Sequence, residues 1–284
     1  MVDMTEMILP PPSAPFGWEH RDANPSLVCR EVERFARHLF TTRLWALGAR
    51  AASAESEEGW REVAEAIGVT PDRLIRLRQV HGNSAVMAAP ASHLAAADIV
   101  VTDDPTLAIA VQSADCVPLL FADPATGAVA AAHAGWRGMA ARAPEAAVNA
   151  LARAFGSRAE NLVVALGPSI GACCYEVGIE VNVAFTRADF SSADIERWFQ
   201  VLPRRMPGNA SLPSLASGPR HDRWFFDGWA AVRDQLEAAG VRPGHVLASE
   251  LCTASHPAVL CSYRRDGSPA GRMAAVITPR PGRS

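Results

Sequence analysis

Five short apolar stretches follow one another between residues 99 and 166: Ile99–Val101, Leu107–Val111, Val117–Phe121, Ala128–Ala132 and Leu162–Leu166. None is long enough to make a stable helix, and most are bounded by Asp, Pro or Gly, so each reads as a strand. Leu74–Val80 adds a strand that ends at His81-Gly82, and Val246–Ala248 and Met273–Thr278 add two late ones. Helical patterns fall at Glu31–Phe40, Gly59–Ile67, Met139–Phe155 and Asp227–Ala239, with Pro-, Gly- and Ser-rich residues 202–222 as a surface loop. Short turns join several of the strands, which predicts a mixed-sheet α/β fold rather than a doubly wound one. Residues 1–36, opened by Pro10, Pro11 and Pro12, read as an N-terminal extension, and residues 37–284 as one domain.

With 49% apolar and 20% charged residues, the chain can bury a sizeable core. Its formal charge of −3 gives no electrostatic basis for a nucleic acid or anionic membrane partner. No apolar run approaches the ~18 residues of a membrane span, and the start has no basic segment of signal type. Six cysteines without a CxxC pair are too sparse for a disulfide scaffold, which points to reduced thiols and a cytoplasmic location.

The break between two of the strands carries chemistry. In AVQSADCVPLLFAD, Asp115 and Cys116 interrupt an otherwise apolar pair of runs. His81 ends one strand, and His133 ends another before AGWRG. Strand ends are where a rigid sheet aims functional side chains. Two imidazoles and a thiolate suit Zn²⁺ and leave a fourth position open, as in catalytic rather than structural zinc sites; Cu²⁺ is the other ion such donors accept. Asp115 cannot easily point the same way as its neighbour and reads as a supporting residue. Against this stands a plainer alternative, in which Cys116 is a small buried hydrophobe and both histidines are hydrogen-bonded structure. Beside His133, the glycines of AHAGWRG and the fork of donors on Arg137 suggest an anion pocket. A competing signal is Gly167-Pro-Ser-Ile-Gly171, a G-x-S-x-G match with Ser169 as nucleophile and Asp227 with His245 or His256 as partners. No HExxH, Walker A or GxGxxG motif occurs.

Taken together, RQVHG (78–82), SADCVPLLFAD (113–123), AAAHAGWRG (130–138), LGPSIGACCYEVG (166–178) and CSYRRDG…GRMAAVI (261–277) resemble the YfiH, or laccase-domain, family over about residues 37–279. The resemblance implies a single YfiH-type α/β domain with a metal triad at His81, Cys116 and His133. It also implies phosphorolysis of adenosine, guanosine, inosine and S-methyl-5′-thioadenosine, with adenosine deamination as a second activity. Substrate-binding residues would be Gln79 in QVHG, Arg43 in FTTR, Arg137, Tyr175 and Arg264. The partners would be purine nucleosides and phosphate, the protein a monomer or homodimer, and the proton carrier Glu176 or Asp227. One departure from the family pattern is Leu44–Arg50, LWALGAR in place of a Gly-Gly-Val-Ser type segment, which bears on nucleoside preference. Members have been called polyphenol oxidases, but multicopper chemistry uses paired H-x-H motifs, and none of the eight histidines here forms one. Removal of a wrong amino acid from a peptidoglycan precursor is the other enzymatic alternative, and a non-catalytic metal-binding role a third.

Overall fold

In the computed structural model, which describes residues 8–21, 24–48, 56–215 and 218–281, two six-stranded sheets lie face to face. The first runs in the order Phe16–Arg21, Asn24–Cys29, Ala36–Thr41, Met273–Pro279, Ala108–Ser113, Leu74–Arg76, antiparallel except for its last pair. The second runs Val246–Ala248, Val163–Leu166, Val117–Ala122, Val129–Ala134, Ile99–Thr102, Ala85–Met87, with parallel pairs only at its two edges. The mixed-sheet expectation therefore holds. A small third sheet joins Glu176–Gly178, Arg223–Phe226 and Phe199–Gln200.

The layering explains why the strands read as unbroken apolar runs. Leu120, Ala122, Val129 and Ala131 meet Phe40, Ile109, Val111 and Ala275 between the sheets. The alternate residues Leu119, Phe121, Ala130 and Ala132 face helices Ala143–Phe155 and Gly228–Ala238. Across the other sheet, Leu39, Ala110 and Val276 face helix Glu57–Ile67. Both faces of the central strands are covered, so the polar half of an alternating pattern disappears there.

Two expectations about the N-terminal part need correction. Phe16–Arg21 and Asn24–Cys29 are strands of the first sheet, and Leu27, Val28 and Cys29 are fully buried, so most of the segment set apart as an extension is part of the fold. Glu31–Phe40 is not one helix: Arg30–Glu33 makes a single turn, and Ala36–Thr41 pairs with Met273–Pro279. Sheet pairing overrides local helix propensity there. Further on, Met139–Phe155 divides into Trp136–Ala140 and Ala143–Phe155 around Arg142, whose φ of 60° breaks the helix. Leu74–Val80 is a strand only to Arg76, and helices Ile179–Arg187 and Ser192–Trp198 stand where no element was expected.

Candidate active site

The site lies where neighbouring strands of the second sheet meet. Val117 pairs with Ala134 and Pro118 with His133, so the start of one strand, with Cys116 just before it, is beside the end of the other. Cys116 follows Asp115, whose φ of 94° turns the chain into the strand. His81 comes from the loop after Leu74–Arg76, again with left-handed backbone (φ 62°). The ligand atoms of His81, Cys116 and His133 lie within 4.8 Å of one another, and the two imidazole rings are 4.9 Å apart at 85°. Three residues spaced by tens of positions in sequence thus converge, and together their two imidazoles and one thiol could hold a metal ion.

The backbone is shaped around this cluster. A Cβ at Gly135 would lie 2.9 Å from the Cys116 sulfur and 3.3 Å from His81 Cδ2. Glycine is required at that position because the sulfur occupies the space of a side chain.

One residue that organises the site was not singled out from the sequence. Asp98, fully buried, accepts hydrogen bonds from the backbone N–H groups of Val80 (3.2 Å), His81 (2.9 Å) and Gly82 (2.8 Å). Its Oδ1 lies 2.9 Å from His133 Nδ1, and its own carbonyl accepts the His133 N–H at 2.8 Å. A carboxylate on Nδ1 fixes the tautomer and turns Nε2 toward a ligand. Burial opposes ionisation of Asp98, but His133 and the backbone donors outweigh it and hold its pKa below the ordinary value.

The thiol and imidazole form a coupled pair. Burial raises the Cys116 pKa, but the charge and hydrogen bonds of His133, with those of His81, bring it down to about 6. Burial depresses His133, yet Cys116 and Asp98 raise it to about 9. Between these values the ion-free pair is thiolate and imidazolium, and an ion that binds must displace the His133 proton. Its apparent affinity should therefore rise about tenfold per pH unit from about 6 to about 9 and level off above. Competition between the protein and a chelator for Zn²⁺ across this range measures the slope, and a flat profile contradicts the pairing.

Around the triad, Tyr175 carries the Arg264 guanidinium 5.2 Å from its ring centre. Burial chiefly raises the Tyr175 phenol; the charges of Cys116 and Asp115 add to this, while Arg264 and Arg137 oppose it. Tyr175 thus feels the charges of Cys116, Arg264 and Arg137 together. The exposed Arg137 lies 4.2 Å from the Trp136 ring centre. Asp115 is a tie, as expected of a supporting residue: it accepts from Thr253 Oγ1 at 2.5 Å and from the Arg264 N–H at 2.6 Å. Gln79 turns inward instead, its amide bonded twice to the backbone of Gln112 (2.8 and 2.7 Å), and so anchors the loop that bears His81. Arg43 reaches the Pro257 carbonyl, and its N–H donates to Val259 at 2.9 Å. Of the departing LWALGAR segment, residues 49 and 50 lie outside the described residues; Trp45 and Leu47 are core.

The proton carriers and the serine nucleophile suggested by sequence are engaged elsewhere. Glu176 pairs with Arg220, and Asp227 caps helix Gly228–Ala238 while bonding Arg204 at 2.7 Å. Ser169 is fully buried and accepts the Trp229 indole N–H at 2.6 Å. His245 binds the Leu162 carbonyl and His256 the Asn209 side chain, so no Ser–His–Asp chain forms among the described residues. The G-x-S-x-G loop is a packing turn instead: a Cβ at Gly167 would lie 2.3 Å from the Phe40 ring. Ser169→Ala should leave activity intact but cost about 1–3 kcal/mol by stranding the indole N–H, seen as a melting temperature lowered by a few degrees.

Comparison with known proteins finds a match to the family model described as multi-copper polyphenol oxidoreductase laccase over residues 47–280. A Deinococcus radiodurans protein named purine nucleoside phosphorylase is 37% identical over 220 residues, covering 78% of this chain and 76% of that one. A Pseudomonas aeruginosa protein with the same name is 37% identical over 221 residues, covering 78% and 79%. Among solved structures, the Bacillus licheniformis hypothetical protein YfiH aligns with a TM-score of 0.78 at 24% identity, over 94% of this chain and all of its own. That similarity concerns the fold.

Proposed function

Because the chain belongs to the multi-copper polyphenol oxidoreductase laccase family, the YfiH or laccase-domain family, we propose that it is a metal-dependent purine nucleoside phosphorylase. Adenosine, guanosine, inosine and S-methyl-5′-thioadenosine are its substrate class, and adenosine deamination is a second activity of the same site. Relatives that carry the phosphorylase name match more than three quarters of the chain. The single observation that carries the reading is the convergence of His81, Cys116 and His133, with Arg264 tied to Asp115, the residue before Cys116.

His81, Cys116 and His133 would hold the ion, and Asp98 sets the orientation of His133 through Nδ1. Once bound, the ion supplies Lewis-acid polarisation to whatever oxygen or nitrogen lies in its open position. The remaining work falls to this chain's own side chains. In phosphorolysis the bond from ribose C1′ to the purine nitrogen breaks with its electron pair leaving on the base, and a phosphate oxygen bonds to C1′. Positive charge builds on the sugar meanwhile. Arg137 and Arg264 are suited to hold the phosphate, since guanidinium offers paired donors at fixed geometry. Arg264 is steadied for this by its Nη1 bond to the Glu176 carbonyl (2.6 Å) and its place over Tyr175. Gln79 and Asp115 act at one remove, by positioning the loops.

Zn²⁺-loaded protein incubated with adenosine, with and without phosphate, tests the proposal. Adenine formed only when phosphate is present supports phosphorolysis, and inosine formed without phosphate supports deamination. Neither product, together with amino acid released from a muramyl precursor, would replace this reading with peptidoglycan editing.

A further inference from the structure

A second set of convergent donors lies outside the triad. The sulfurs of Cys173, Cys174 and Cys252 are within 4.8 Å of one another, and all three residues are fully buried. The first two follow the Gly167–Gly171 turn; the third lies beyond strand Val246–Ala248, beside Ser169 across an isolated bridge. Ser255 Oγ stands 3.8 Å from the Cys173 sulfur and 3.6 Å from that of Cys174. It donates its proton to the Ala210 carbonyl at 2.7 Å, which leaves its lone pairs facing the thiols.

Thiols that served only as small hydrophobes would have no reason to point at one another. These do, and Cys252 also accepts the Gly171 N–H at 3.4 Å. Soft sulfur donors select thiophilic d¹⁰ cations. Ser255 and His256 are half-buried and Pro257 is exposed, so the oxygen side of the cluster leads toward solvent.

We propose that Cys173, Cys174 and Cys252 form a second metal site, for a thiophilic cation of the Zn²⁺ or Cu⁺ class, with the Ser255 hydroxyl on its open side. The site is structural. Thr253, next to Cys252, bonds Asp115, next to Cys116, so an ion there would stiffen the wall behind the active centre.

Cadmium is a suitable probe, because each thiolate it binds adds ultraviolet charge-transfer absorbance. Reduced, chelator-stripped full-length protein should take up two equivalents. Cys116→Ala should take up one, with the absorbance of three thiolates, and Cys252→Ser should likewise lose one of the two. A folded Cys116→Ala protein that binds no stoichiometric cadmium would overturn the proposal, and it decides the matter even if Cys252→Ser does not fold. A disulfide between Cys252 and Cys173 or Cys174, found in protein never exposed to oxidant, would overturn it equally.

Discussion

Alanine at position 116 should leave a folded chain that retains no ion between His81 and His133 and cleaves nucleosides on the order of 10³-fold more slowly, a loss of several kcal/mol in transition-state stabilisation. The fold should survive because Cys116 is only half-buried, in the connection between two strands, and the substitution removes one atom without introducing bulk. The ion should not survive, since two imidazoles alone make a weak site, and the thiolate is the one donor of the three that brings negative charge to it. Metal analysis beside the adenosine assay checks both halves. Cys261→Ala, which removes a buried thiol outside both clusters, serves as the comparison and should retain ion and activity. Full activity in Cys116→Ala protein would refute the metal-centred reading.

Asp98 should prove nearly as important, although it lies behind the ligands. Removal of its carboxylate in Asp98→Ala takes the acceptor from three partly buried backbone N–H groups and strands the buried His133 Nδ1. Loss of one partner from a buried charged network costs about 3–5 kcal/mol, so a large drop in thermal stability is expected. Asp98→Asn separates the roles. It keeps the volume, but its NH₂ cannot accept from all the donors the carboxylate satisfies, and the His133 orientation should relax. Metal affinity should fall about 10- to 100-fold, with a much smaller change in melting temperature, and calorimetric titration with Zn²⁺ reads the difference. Unchanged affinity in Asp98→Asn would show that the second imidazole needs no fixed tautomer.

The triad was legible in the sequence because each of its members occupies an exceptional place: a thiol at the break of an apolar run, His133 near a strand end, and His81 just past an alternating run that reads as strand although only its start is one. Asp98 was not. An acid before an apolar stretch, as in AAADIVV, is an ordinary strand boundary, and its worth comes from a loop seventeen residues upstream folding over it. Likewise Cys173 and Cys174 read as packing residues until Cys252, remote in sequence, is brought against them. The central strands were clear because burial on both faces makes them continuously apolar. The N-terminal strands were obscured by Glu31, Glu33 and Arg34, charges that favour a helical reading of a segment whose sheet partner lies over two hundred residues away. Local signals fix composition and turn chemistry; only the register between distant strands decides which side chains meet.

The placement of those N-terminal strands also matters for anyone who would shorten the protein. A chain trimmed to the span shared with the family model would begin at residue 47 and lose Phe16–Arg21, Asn24–Cys29 and Ala36–Thr41 together. Met273–Pro279, every residue of it buried, would become an open border with its N–H and C=O groups unmatched along one side. Such a border recruits other copies of itself, and the shortened protein should collect in the insoluble fraction with both clusters intact in sequence and neither assembled.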